Sequence, residues 1–104
     1  MLNQNIISNS GLHDYEFISI SVDYVKANIY ILLNDLKCNR INLSIEGFTD
    51  LRITHREPWG KGTYIVSSDM EKIDKTHIIF ELNSGDTIHI EFSGSLSFNS
   101  NTFM

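Results

Sequence analysis

Residues 78–92, "IIFELNSGDTIHIEF", set Ile78, Phe80 and Leu82 on one side of a glycine-containing turn and Ile88, Ile90 and Phe92 on the other, each run with a period of two. That period gives a helix no continuous apolar stripe and gives a strand one apolar face, so this stretch predicts a β-hairpin. The register follows from the faces. Pairing Phe80 with Ile88 and Ile78 with Ile90 keeps the apolar side chains together, whereas a slip of one residue sets Leu82 against Thr87. The favoured register leaves Asn83-Ser84-Gly85 as the loop, with the glycine at a left-handed position. It also places His77 beside Glu91 and Ile79 beside His89 on the other face.

The same alternation runs through much of the chain. Ile18, Ile20 and Val22 share a face and predict a half-buried strand, followed by a turn over Asp23 to Ala27 and a central strand over Asn28 to Leu33. Ile41, Leu43 and Ile45 alternate until Gly47 interrupts, and Leu51 and Ile53 resume the pattern. Tyr64 to Val66 reads as strand, and Leu96 with Phe98 adds a short last one. Asp69 to Lys75 fits either one helical turn, with Ser68 and Glu71 as a capping box, or a charged hairpin tip. Asn34 to Asn39 is too short for a helix of its own. The expected fold is a single all-β domain over residues 1–104, with seven or eight short antiparallel strands in a β-sandwich or strongly curled sheet, and a frayed tail from Asn99.

A chain of 104 residues that is 41% apolar builds one modest core. Its 13 acidic and 8 basic residues leave a net charge of −5, a field that repels phosphate backbones and draws cationic partners, so direct nucleic-acid binding is not expected. Met1 to Gly11 lacks the charged start and apolar run of a signal peptide, and no segment has the length of a membrane span. The expected location is the cytoplasm, with no membrane partner. Cys38 is the sole cysteine, so packing rather than a disulfide must hold the fold.

Chemistry-bearing residues are scattered. His13-Asp14 is half of a metal-phosphohydrolase dyad, yet the helices and remaining ligands of such a site are missing, and Asp14 reads as a cap on the first strand. His77 and His89 share a face with Glu81 and Glu91, which admits a two-His, one-carboxylate metal site, although a solvated strand face is the commoner meaning of such a pattern. Cys38 reads as a loop or core thiol. No phosphate loop, nucleophile elbow or zinc pattern occurs, so neither a cofactor nor an enzymatic activity is expected. The densest cluster is "THREPWGKGT" at residues 54–63, where His55, Arg56 and Glu57 supply the residue types of a small metal-independent hydrolase. Consecutive side chains on an extended chain face opposite ways, so Arg56 does not converge with the other two. Pro58 and Gly60 mark a turn, and Trp59 is either an aromatic plug or an exposed anchor.

Three segments, "GLHDYEFISISVDY" at 11–24, "IEGFTDLRITHREPWG" at 45–60 and "FELNSGDTIHIEF" at 80–92, together resemble small bacterial all-β immunity proteins of polymorphic and contact-dependent growth-inhibition toxin systems. The resemblance carries over no catalytic residue. It implies that Leu12, His13, Asp14, Gly47, Leu51, Pro58, Trp59, Gly60, Gly85 and Asp86 are mainly scaffold, and that the partner is a cognate toxin, of a basic nuclease type, whose active site is occluded. Carboxylates standing where phosphates would lie, flanked by aromatic anchors, suit that task. The candidate contact residues are Glu46, Asp50, Glu57, Trp59, Glu81 and Glu91, with Tyr15 and Tyr24 as further anchors. The alternative classes are a small-ligand or carbohydrate-binding module built on Trp59 and tyrosines, and the hydrolase built on His55 and Glu57.

Overall fold

The computed structural model describes Ile7 and residues 11–55, 64–72 and 74–100, with Ser100 described by its backbone alone. Among them are eight strands: β1 (Glu16–Asp23), β2 (Asn28–Asn34), β3 (Arg40–Glu46), β4 (Phe48–Ile53), β5 (Ile65–Lys72), β6 (Thr76–Leu82), β7 (Thr87–Phe92) and β8 (Leu96–Ser100). They form two antiparallel four-stranded sheets, ordered β1-β2-β3-β8 and β4-β7-β6-β5, here called the first and second sheet. No helix occurs among the described residues. The all-β expectation holds, and the sheets do not close into a barrel.

Period-two patterning explains the core. Ile29, Ile31 and Leu33 of β2, Ile41, Leu43 and Ile45 of β3, and Ile78, Phe80, Ile88 and Ile90 of β6 and β7 are all at most 2% exposed. Each such side chain contributes about 1.5–3 kcal/mol by leaving water. The two inner faces meet directly, with the Phe17 and Phe80 rings 6.4 Å apart. The β6–β7 register pairs Ile78 with Ile90 and Phe80 with Ile88, as the alternation requires. Its turn closes with the Gly85 amide donating to the Leu82 carbonyl at 2.9 Å and Gly85 at φ +90°.

A single crossing joins the sheets. β3 continues into β4 through Gly47, and β7 continues into β8 through Ser93-Gly94-Ser95, while β3 pairs with β8 and β4 with β7. One two-stranded ribbon therefore passes from sheet to sheet, locked where the Glu46 amide donates to Ser95 O at 2.8 Å and the Ser93 amide to Gly47 O at 3.0 Å. A Cβ on Gly94 would lie 2.3 Å from the Glu46 carbonyl oxygen, so only glycine fits there. At the opposite side, Asp14 N donates to Ile65 O and Ile65 N to Tyr15 O, both at 2.8 Å, tying the chain before β1 to the start of β5. Buried Ser68 adds a second tie, donating from Oγ to Ile7 O at 2.7 Å and accepting from Leu12 N at 3.2 Å.

Three local expectations need correction: Asn99 and Ser100 are not a frayed tail but the end of β8, paired with Asn42 and Ile41. Ile18 and Val22 are 38% and 43% exposed rather than half-buried with Ile20. A bulge between Phe17 and Ser19 shifts the phase of β1, which turns Ile18 outward and sets Phe17 and Ile20 on the core opposite Leu33 and Ile31; Val22 keeps the phase of Ile20, opposite Ile29, and is exposed at the strand's end. Of the two readings of Asp69 to Lys75, the hairpin is the correct one: β5 runs through Lys72, which pairs with Thr76, and no helical turn forms.

Candidate functional site

The outer face of the second sheet is assembled by register. One row across it is Asp50, Glu91, His77 and Glu71; the next is Arg52, His89, Ile79 and Asp69; the third is Thr87, Glu81 and Ser67. These rows hold five carboxylates against one guanidinium, so the face is acidic. They also bring together Asp50, Glu81 and Glu91, three of the residues expected at a contact, from three different strands.

Glu91 is the centre of this surface. Its Oε2 accepts from Thr49 Oγ1 at 2.6 Å and lies 3.5 Å from Lys75 Nζ, and its Oε1 is 3.9 Å from His77 Nε2. The Thr49 hydrogen bond, helped by Lys75 and His77, outweighs partial burial and lowers the Glu91 pKa, so the carboxylate is firmly ionised. A shallow depression of about 300 Å³ beside it is lined by Asp74, Lys75, His77 and Glu91. The other nitrogen of His77, Nδ1, lies 3.1 Å from His89 Nε2, and the two rings stack with centroids 5.3 Å apart. Asp50 Oδ2 accepts from Arg52 Nε at 2.9 Å, and Glu81 Oε1 accepts from Ser67 Oγ at 3.2 Å. Asp50, Glu81, Glu91, His77 and His89 sit on paired strands, so that part of the array is held by ladder hydrogen bonds, while Lys75 and Asp74 reach it from the β5–β6 turn.

The remaining candidates lie elsewhere. Glu46 stands at the sheet crossing, where its Oε1 accepts from Ser95 Oγ at 2.6 Å. Glu57 and Trp59, with Arg56, Pro58 and Gly60, fall outside the described residues; His55, just before them, is exposed. Tyr15 is only 9% exposed, and its pKa is raised by burial and then by the Asp35 carboxylate, so it belongs to the core and is no anchor. Tyr24 is 85% exposed at the β1–β2 turn, next to Val25 at 93%, as an anchor should be. His13 and Asp14 form an exposed pair at 3.4 Å, and Asp14 serves the fold through its backbone, at φ 70°, rather than as a side-chain cap. Cys38 is an exposed loop thiol. Asp86 is 3% exposed and accepts from Thr54 Oγ1 at 3.0 Å and Ser84 Oγ at 2.9 Å, which supports a scaffold role in the β6–β7 turn.

Thr49, Asp69 and Glu71 join the face without having been expected there from sequence, where Glu71 stood only as a candidate helix-capping residue. Asp69 and Glu71 would have followed from reading Asp69 to Lys75 as strand, since alternate positions from Ser67 then point outward. Thr49 had no sequence signal, because it stands at the bulge between Phe48 and Asp50. Among the described residues no three His, Cys, Asp or Glu side chains form a metal cage, and no helix is long and apolar enough to cross a membrane. No protein-family model matches the chain, and no characterised protein matches it significantly.

Proposed function

We propose that this chain is an immunity protein, which binds a cognate basic toxin of the nuclease type and neutralises it by covering the active site with the outer face of the second sheet. The observation that carries this reading is the convergence of Asp50, Glu81 and Glu91, with Asp69 and Glu71, on one strand-held surface. A toxin that grips a phosphate backbone presents cationic groups in its cleft. Fixed carboxylates meet those groups without the entropy cost of ordering a loop, and the acidic field accelerates encounter. Glu91, held ionised by Thr49 and Lys75, is the pivot of the contact. Inhibition by occlusion requires no proton transfer, no cofactor, no nucleic acid and no membrane, and it takes place in the cytoplasm of the producing cell.

Co-expression with the toxin module encoded beside this chain should restore growth, and the complex should survive gel filtration. His55→Ala should protect as well as the parent protein. If the purified protein instead turned over RNA or a small ester and His55→Ala abolished that turnover, the hydrolase reading would replace this one.

A further inference from the structure

We propose that His77 and His89 form a binding site for a borderline divalent cation, Zn²⁺ above all, with Glu91 orienting the His77 ring. This inference stands apart from the toxin reading and is tested without a toxin.

The geometry is that of a chelating pair. His77 on β6 and His89 on β7 are diagonal neighbours on one face of an antiparallel pair, and His77 Nδ1 lies 3.1 Å from His89 Nε2. With metal–nitrogen bonds of about 2.0–2.1 Å, two imidazole nitrogens on one ion stand about 2.9–3.3 Å apart over bond angles from square to tetrahedral. The observed separation falls inside that range before any ion is introduced. The strands fix both Cα positions, and the broad χ2 of histidine lets both lone pairs turn toward one point without backbone movement.

The second nitrogen of His77 adds an independent feature. His77 Nε2 faces Glu91 Oε1 at 3.9 Å, and Glu91 is itself fixed by Thr49 and Lys75. At 3.9 Å this is an ion-pair distance and not a hydrogen bond, so the carboxylate acts through its charge, favouring the proton on Nε2 and leaving Nδ1 free to ligate. Asp50, Arg52, Glu71 and Asp69 surround the pair in the same rows, so the site is polar and net negative. Two neutral imidazoles select Zn²⁺, Cu²⁺ or Ni²⁺ over Ca²⁺ or Mg²⁺, which prefer oxygen ligands. Water fills the remaining positions, which leaves the ion open to a side chain from a bound partner.

A proton now occupies the line between the two rings, because a 3.1 Å contact between imidazole nitrogens needs one donor and one acceptor. When the ion takes that place the proton moves to the other nitrogen of the same ring, which stays neutral, and the inner nitrogen is left free to ligate.

The test is calorimetric titration of tag-free protein with ZnCl₂ at neutral pH, paired with NMR of the histidine rings. One ion per chain at micromolar concentration is expected, with the His77 and His89 ring signals shifting and those of His13 and His55 unmoved. Glu91→Gln should weaken binding about tenfold, and His77→Gln with His89→Gln should abolish it. Magnesium should produce no heat. Absence of binding, binding that survives the double variant, or ring shifts confined to His13 or His55 would each overturn the proposal. The ring shifts are read on the parent protein, so a variant that fails to fold does not remove the test.

Discussion

The two sheets share strand geometry and a common core, yet the centres of their outer faces carry different chemistry. Across the first sheet the central rows are Ser21, Tyr30, Ser44 and Ser97, then Ser19, Leu32, Asn42 and Asn99, with no charge among them. The two central rows of the second sheet hold four carboxylates, Arg52 and the stacked histidines. Inner positions are set by the core they must fill, and there the sheets are alike. Outer positions are free of that demand, and the sheets use them differently: the first keeps its charges, Glu16, Asp23, Arg40 and Glu46, to its end rows, whereas the second carries them through its centre. Neutral serines and asparagines suffice to solvate a strand face. The centre of the second sheet exceeds that need, which supports the proposed recognition role.

The largest way to break the comparison is to break what holds the faces apart. Gly94→Ala drives a Cβ to 2.3 Å from Glu46 O and 2.8 Å from Glu46 C, both backbone atoms that cannot swing away. Overpacking of this kind costs about 1–3 kcal/mol, and contact with backbone puts it at the upper end. Urea denaturation should show the midpoint falling accordingly, with both faces affected because both hang from that crossing. An unchanged midpoint would mean the ribbon can repack without glycine.

Next in size is a direct contrast of the faces. Asp50→Lys with Glu91→Lys should slow association with the toxin about tenfold at low salt, and the loss should shrink as salt screens the field. Asn42→Lys with Ser44→Lys on the first sheet should change the rate less than about twofold, because added charge there lies away from the contact. Equal effects from both pairs would show that net charge alone, and not the second sheet, governs binding.

The turns sharpen the comparison further, since each sheet has a hairpin with one left-handed residue. In the second sheet it is Gly85, at φ +90°, with open space around the missing Cβ. In the first it is Ala27, at φ 57°. Gly85→Val should cost about 1 kcal/mol or more through backbone strain alone. Ala27→Gly should recover a few tenths of a kcal/mol to about 1 kcal/mol, the left-handed cost less the entropy of the added glycine. Thermal melts of the two variants should move in opposite directions.

These sites also show what a sequence discloses. The β6–β7 register was legible because apolar alternation and Gly85 impose the same pairing, and with it came the neighbourhood of His77 and Glu91. The phase of β1 was hidden by a bulge, which leaves no mark in an apolar string as even as Ile18, Ile20 and Val22. β5 was hidden by its own inner positions. Ser68 is buried but polar, retained for its bonds to Ile7 and Leu12, and it interrupts the alternation that would have extended the strand to Lys72. Gly47 announced an interruption without revealing that the chain changes sheets there. Asp50 and Glu91 are neighbours through the β4–β7 pairing of distant segments, and no local pattern encodes that contact. Of the residues expected at the contact, those in strands were gathered where the pairing of strands carried them.

The smallest expected effect isolates the pivot of the charged face. Thr49 Oγ1, 2.6 Å from Glu91 Oε2, is the leading cause of the lowered Glu91 pKa, ahead of Lys75 and His77. A carboxylate that is more acidic folded than unfolded binds fewer protons in the native state between its two pKa values, so it favours folding as pH rises through that window. Its contribution is therefore complete above the ordinary glutamate range and disappears as the pH falls through the lowered folded value. Thr49→Val keeps the shape of the side chain and removes the hydroxyl. The Glu91 carboxyl, followed by NMR, should then titrate at higher pH, and acid unfolding should begin slightly earlier. Ser97→Ala, in an uncharged row of the first sheet and without a carboxylate to hold, should leave the acid limb where it was. If Thr49→Val left the Glu91 titration unmoved, Lys75 and His77 would be the groups that hold it, and charge reversal at Lys75 would become the variant that separates the two faces.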